Sequence, residues 1–327
     1  MTDLNLDSHI VERLRCPHCQ SANLQFAAEA LTCTACDSRY PVVDGVPVLL
    51  DPTNPLFDIE SVSTNYYGAA RVAKRKRGGL RGGLRRLANA APSLGHNLRA
   101  EANAAHFLQR VRARGESASV LIVGGGTVGE GSEAIAGADD LTVVSTDVYL
   151  SPQVGAVADG HQLPFEDGTF DGVAVQAVLE HVLDPFQVVA EIHRVLKPGG
   201  LVYAETPFMQ QVHGGAYDFH RFTHLGHRRL FRHFAEVDSG PCCGPGMALA
   251  WSYMYFLRAL FNVPPSGVRR VAVDLFARYT AFWLKYLDSA MLSSPNGYNA
   301  ASGFYFIGTR AENPLPDHEL IAGFVGV

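Results

Sequence analysis

Between residues 120 and 204 short apolar runs alternate with a longer amphipathic stretch. Residues 120–123 are apolar throughout and lead into glycines, and residues 141–145, 170–175 and 201–204 are three more short runs. Runs of this length, bounded by turn residues, predict strands buried on both faces. Between the last two, Asp184 stands as an N-cap and Pro185 as the first helical residue. Phe186, Val189, Ile192 and Leu196 follow at the spacing of one buried helix face, and Lys197-Pro198-Gly199-Gly200 predicts the stop. A further helix is predicted over residues 98–114, with Leu98, Ala102, Ala105 and Leu108 on its buried face. Strand, helix, strand in this rhythm predicts parallel strands joined by crossovers. Later strands are predicted at 235–239 and 303–309, with two or three aromatic-rich helices between them, over residues 247–292.

Composition narrows the class. The chain has 327 residues, about half of them apolar, and a formal net charge of −5. A sizeable core is therefore expected, and binding of nucleic acid by the chain as a whole is not favoured. The N-terminus is polar, with no apolar h-region, so no signal peptide is expected. The most apolar late segments are broken, one by Arg258 and the other by Asp274, Arg278 and Lys285, so neither reads as a spanning helix. A cytoplasmic protein follows, with membrane contact at most peripheral. Residues 71–86 carry eight basic residues, among them Arg75, Lys76 and Arg77, and no acidic one. The plain reading is a linker; the sharper one is an arm for phosphate, RNA or acidic lipid.

Cys16, Cys19, Cys33 and Cys36 form two C-x-x-C pairs. Each pair makes a tight knuckle, and two knuckles give the four-thiolate tetrahedron that zinc prefers. Four sulfurs leave no open position, so the expected Zn2+ is structural. The run that follows, from Arg39 to Leu50, resembles the zinc-ribbon family of small proteins that partner and activate methyltransferases.

Gly124, Gly125 and Gly126, with Gly129, make a glycine turn after the first strand, where backbone can approach a ligand and the next helix offers its N-terminus. Asp147, followed by Val148, stands at the second strand's end, where a carboxylate can accept from both hydroxyls of a ribose. These residues fit a dinucleotide and S-adenosylmethionine equally. The downstream pattern is Asp159-Gly160, Leu163-Pro164-Phe165, Phe170-Asp171, Glu180-His181 and Lys197-Pro198-Gly199-Gly200. In this order the motifs resemble the class I S-adenosylmethionine-dependent methyltransferases, from about residue 120 to 207. The resemblance implies an α/β, Rossmann-like sheet with flanking helices, to which this chain adds the N-terminal zinc ribbon and a helical insertion before the last strand. It implies that Asp159 holds the adenine amino group, that the backbone at Gly160 meets the ring, and that Gln176 lines the methionine end. Two positions depart from the family pattern: Ile122 replaces its usual acid in the first strand, and Val128 its third glycine. The division expected is a ribbon over 1–55, a linker with the basic arm over 56–97, and a methyltransferase domain over 98–327 with its insertion at 245–292.

Methyl transfer from a sulfonium asks the protein to align an acceptor and, for oxygen or nitrogen, to take up a proton. The candidates are Glu180 and His181 after the fourth strand, and Tyr217, His220 and Arg221 in the polar stretch after the fifth. His213, His220 and His224 are an alternative second metal set. Cys242 and Cys243 read as ordinary thiols at a strand end. The leading function is methylation of a small molecule or biosynthetic intermediate, on O or N, of natural-product or envelope-glycan type. An RNA methyltransferase using the ribbon and basic arm, and a non-catalytic partner protein of the same fold, are the alternatives. An NAD-dependent oxidoreductase would leave the Asp159 motif without a role. The aromatic segment 247–292 reads first as core or as a homo-oligomer face.

Overall fold

The structure is a computed structural model that describes residues 4–27, 29–64, 90–127 and 129–327. The basic run 71–86 and Val128 lie outside the described residues. Among the described residues, strands β1 (Leu24–Ala27), β2 (Ala30–Cys33), β3 (Arg39–Val43) and β4 (Val46–Leu49) form the N-terminal ribbon, preceded by helix α1 (Ser8–Val11) and followed by α2 (Ile59–Thr64). Then come α3 (Ala100–Arg112), β5 (Ser119–Val123), α4 (Ser132–Ala136), β6 (Thr142–Asp147), β7 (Ala156–Ala158), β8 (Phe170–Gln176), α5 (Pro185–Val195) and β9 (Leu196–Pro207). The last part holds α6 (His224–Leu230), β10 (Phe234–Cys243), α7 (Pro245–Leu260), α8 (Val268–Ala281), α9 (Leu284–Met291), α10 (Pro295–Asn299), β11 (Gly303–Arg310) and α11 (Asp317–Ala322).

All eleven strands share one sheet, in the order β1-β2-β3-β4-β7-β6-β5-β8-β9-β11-β10. Strands β5 to β9 pair in parallel, as the crossover rhythm predicts, and β11 returns antiparallel between β9 and β10. Side chains alternate across the sheet. Leu121, Val123, Val173, Val175, Val202 and Phe306 face one layer with Val189 and Ile192 of α5. Val120, Ile122, Ala174, Leu201, Tyr203 and Ile307 face the other, with Phe107 and Val111 of α3. Each such side chain, fully buried, contributes about 1.5–3 kcal/mol.

The ribbon continues this sheet. Strand β4 pairs in parallel with β7, Val48 opposite Val157 and Leu49 opposite Ala158. Ile10, Leu14, Tyr40 and Leu49 join the same buried cluster as Leu121 and Val123. Around it Arg15 N donates to Pro164 O at 3.0 Å and Glu166 N to Arg13 O at 2.8 Å. The edge of β7, which would otherwise offer unpaired backbone to other chains, is thereby covered. Residues 57–62 are also more than linker: Phe57, Ile59 and Val62 pack with Val43, Val46 and Leu150.

Two buried faces differ from the pattern. On α3 the buried set is Ala100, Asn103, Ala104, Phe107, Leu108 and Val111, while Ala102 and Ala105 are exposed. The largest side chain, Phe107, takes the core position against Tyr203 and turns the helix accordingly. On α5, Val188 and Val195 are buried and Phe186 is not; its ring lies under the Arg229 guanidinium, 5.0 Å away. Asp184 does cap α5, accepting from Phe186 N and Gln187 N.

The insertion is a three-helix layer. Ala250, Met254, Leu257, Ala277 and Ala281 form its contact, with Leu94 beneath. Asp288 of α9 is buried and accepts from Gly246 N at 2.6 Å and Met247 N at 3.0 Å, which caps α7. Arg258 and Arg270 both reach Asp274. Because small residues occupy the contact, Phe256, Phe276, Tyr279, Trp283 and Tyr286 turn outward and are exposed. Among the described residues no helix is long and apolar enough to cross a membrane.

Because Leu49 is part of the common core, Leu49→Ala should cost about 2–5 kcal/mol. Urea unfolding followed by fluorescence and by circular dichroism should give one coincident transition that shifts as a whole. A separate early transition confined to the ribbon would show that it does not share the core.

Candidate active site

The order β7-β6-β5-β8-β9 reverses direction between β5 and β8. Their outgoing chains diverge there, and a crevice opens at the carboxyl ends of the strands. A cavity of about 940 Å³ lies there, lined among others by Gly124, Gln176, Glu180, Glu205, Gln210 and His213.

The chain leaves β5 through Gly124, whose φ is +77° and where a Cβ would lie 2.2 Å from Val178 Cγ2. Only glycine satisfies both constraints. Asp147 ends β6 and is nearly buried. Its Oδ2 accepts from Gly126 N at 2.8 Å and its Oδ1 from Val148 N at 2.7 Å. Burial pushes its carboxyl up to about 6, against the opposing effect of those two amides. A Cβ on Gly126 would come within 2.6 Å of Asp147 Oδ2 and 2.7 Å of the Tyr149 ring, so glycine turn and carboxylate fit closely.

Asp159 follows β7. Its Oδ1 accepts from His161 N at 3.0 Å and faces His161 Nδ1 at 2.6 Å, and its Oδ2 accepts from Asn54 Nδ2 at 2.8 Å. Burial raises its pKa, but the hydrogen bonds from His161 and Asn54 outweigh this and hold the carboxyl below its usual value. Asn54 follows the ribbon, so the two parts of the chain meet at this carboxylate. Gly160 lies against Val188 and Val123.

Gln176 ends β8 and donates to Glu130 O at 2.9 Å and to Glu205 Oε2 at 2.6 Å. Glu205 also accepts from Tyr203 Oη at 2.6 Å and Asn97 Nδ2 at 2.8 Å. Burial raises its pKa, opposed by these three donors. The sequence reading passed over Glu205. The available signal was a lone acid at the end of an apolar strand, a position that burial makes costly unless it serves a purpose.

The polar stretch after β9 wraps back over β8. His181 and His213 come together, rings 4.8 Å apart, beside the fully buried Glu180. The other candidates serve the loop itself. Arg221 pairs with Asp218 through both guanidinium ends and donates to Gln210 O at 2.8 Å and Gln211 O at 3.1 Å, so its donors are engaged within the loop. His220 faces Leu183 O at 3.2 Å through Nε2. The Tyr217 side chain is about half exposed and stacks on Phe57 at 6.5 Å. His224 packs against Tyr298 and Phe304. The His213–His220–His224 set is not assembled: among the described residues His213 clusters with Glu180 and His181. Cys242 and Cys243 line the cavity from β10.

At the other end of the sheet the four ribbon cysteines converge. Cys16 Sγ is 3.6 Å from Cys36 Sγ, and Cys19 Sγ 3.6 Å from Cys33 Sγ. Metal–sulfur bonds of about 2.3 Å in a tetrahedron require sulfurs about 3.8 Å apart, so the set fits a zinc-sized ion. The knuckles are built alike. The residue after each pair, Gln20 or Asp37, has positive φ, +60° and +58°, and donates its N–H to the carbonyl of the cysteine that opens the pair, Cys16 or Cys33. The Tyr40 hydroxyl stands 3.0 Å from Cys16 Sγ.

Residues 123–204 match the family model described as a methyltransferase domain. A demethylmenaquinone methyltransferase of Lysinibacillus sphaericus is 34% identical over 133 residues, 40% of this chain and 51% of that protein. One from Renibacterium salmoninarum is 41% identical over 97 residues, 26% of this chain and 40% of that protein. The chain thus spans about half, or less, of the length of these curated relatives. Among solved structures, Haemonchus contortus phosphoethanolamine N-methyltransferase 2 with S-adenosyl-L-methionine gives a TM-score of 0.40 at 15% identity, over 64% of this chain and 53% of that one. The family match runs from the end of β5 into β9, the strands that carry the cavity, so the centre of this chain is similar to methyltransferase domains.

Proposed function

We propose that the protein is an S-adenosylmethionine-dependent methyltransferase acting on a small molecule, with a structural Zn2+ in its ribbon. The observation that carries the reading is the cavity lined by Gly124, Gln176 and Glu205 at the carboxyl ends of β5, β8 and β9, with Asp147 at the end of β6 holding the same glycine turn through Gly126. When bound, the cofactor supplies an electrophilic methyl group on a sulfonium. Asp147 would accept from the ribose hydroxyls, the backbone from Gly124 to Gly126 would receive the methionine end, and Asp159 and Gly160 would hold the adenine. Glu205 would supply the negative charge that the family pattern places at Ile122: both residues line the cavity, and Gln176 and Asn97 fix the Glu205 carboxylate. Gln210 and His213 close the acceptor side. A cavity of about 940 Å³ is at the upper end of small-molecule sites, which are mostly about 300–1,000 Å³. It fits a cofactor and a compact acceptor. The relatives named for demethylmenaquinone admit a quinone within the small-molecule acceptor class.

The ribbon, on this reading, acts in cis as a small activator acts in trans, by completing the sheet beside β7 and holding Asp159 through Asn54.

Two outcomes follow. Asp147 must be ionised to accept two hydroxyl hydrogens. Its carboxyl sits at about 6, so affinity is full above that pH. Below it, affinity falls by about tenfold per unit. Calorimetric titration with S-adenosylmethionine from pH 5 to pH 8 checks this. Asp147→Asn should bind weakly and without the pH dependence, while binding as tight as in the unsubstituted chain would remove the carboxylate from the site. Second, Cys16→Ser should lower zinc content to below one equivalent and reduce the melting temperature of the whole chain, because Cys16 lies in the common core. Unchanged zinc by elemental analysis would rule out the four-cysteine set.

A further inference from the structure

Glu180 follows β8, and its carboxylate is completely buried. Neither oxygen makes a hydrogen bond. An ionised carboxylate buried in protein is sustained by hydrogen-bond donors, a paired charge or a metal. What faces it is two imidazoles: His213 Nε2 at 3.5 Å and His181 Nε2 at 3.6 Å, both from Oε1.

The far nitrogens of both rings are committed. His181 Nδ1 lies 2.6 Å from Tyr217 O, and His213 Nδ1 lies 3.2 Å from Gln211 O. A carbonyl can only accept, so Nδ1 carries the proton in each ring and the neutral tautomer turns an Nε2 lone pair toward Glu180. In that tautomer two lone pairs and a carboxylate converge on one point. Histidines that ligate metals are held in this way, with the other ring N–H given to a carbonyl or carboxylate.

The surroundings hold the rings in place. Asp218 accepts from His213 N at 2.7 Å and is itself clamped by Arg221. Gly214 passes so close to His181 that a Cβ there would lie 2.4 Å from Nδ1. The three ligand atoms lie within 4.8 Å of one another. An ion about 2.1 Å from each, in a tetrahedron, would set neighbouring ligands about 3.4 Å apart, close to the two separations found.

We propose that Glu180, His181 and His213 bind a second divalent transition-metal ion, distinct from that of the cysteines. Two imidazoles and one carboxylate suit zinc, iron(II), cobalt(II) or manganese(II), and they leave coordination positions open. Glu180 and His213 line the cavity, so those positions face the space where the acceptor would lie. The ligand class they select is an acceptor bearing a hydroxyl or an oxygen anion, whose oxygen the ion would bind and acidify. That role rests on the methyltransferase reading; the metal site itself does not.

The test uses the full chain with zinc in the ribbon, titrated with Co2+ in the absence of cofactor. The expected result is one further equivalent of bound metal, with visible d–d bands but no sulfur-to-metal charge-transfer band. Glu180→Gln and His213→Ala should each weaken this binding by at least tenfold while the ribbon zinc and the thermal transition persist. Gly214→Ala, which displaces His181 without changing a ligand, should weaken it as well. Absence of a second equivalent in the unsubstituted chain would overturn the proposal, as would an equally tight one in folded Glu180→Gln. A positive result with no S-adenosylmethionine binding would keep the metal site and refute the function proposed above.

Discussion

The reversal of strand order between β5 and β8 is the constraint on which the rest depends. Parallel strands wound in opposite directions from that point cannot fill the space at their carboxyl ends. Residues that end strands or follow them therefore stand at that end of the sheet, although they are far apart in sequence: Gly124 after β5, Asp147 at the end of β6, Asp159 after β7, Gln176 at the end of β8, and Glu205 in β9; of these Gly124, Gln176 and Glu205 line the cavity. Three buried or nearly buried carboxylates, Asp147, Glu180 and Glu205, stand in this region. Such a concentration is costly in a sheet held together by apolar burial. Its positions coincide with the open end of the strands, where a polar ligand can be received.

The sheet does not stop where the methyltransferase pattern stops. The ribbon adds its strand β4 to β7 in the parallel sense and contributes Ile10, Leu14, Tyr40 and Leu49 to the core. The four cysteines converge at its tip, and its strand β4 closes the sheet edge beside β7. Asn54 then reaches Asp159. The ribbon is thereby joined, through one continuous sheet, to the carboxylate that follows β7.

Much of this was legible in the sequence, for identifiable reasons. Strands β5, β8 and β9 are buried on both faces, so each carries a short apolar run, Val120–Val123, Val173–Val175 and Leu201–Ala204. The cysteine knuckles and the Asp184-Pro185 helix start are local signals that need no tertiary context. What was not legible depended on partners distant in the chain. The α3 face turned because Phe107 found Tyr203, and Phe186 left the core because Arg229 covers it. Phe256, Phe276, Tyr279, Trp283 and Tyr286 of the insertion turned outward, while Ala250, Met254, Leu257, Ala277 and Ala281 form the helix contacts. At the site, Glu180 and His181 were recognised as a pair, yet their meeting with His213 depends on a loop folded by Arg221 and Asp218. Glu205 was missed because its donors, Asn97, Gln176 and Tyr203, come from three separate segments.

The most direct test of the central claim is a crystal structure of the chain grown with S-adenosylhomocysteine. The account predicts density for the nucleoside across the ends of β5, β6 and β9, with the ribose hydroxyls on Asp147 and the amino group toward Glu205. Nucleoside density elsewhere, or a crevice that stays free of it at saturating ligand, would contradict the account.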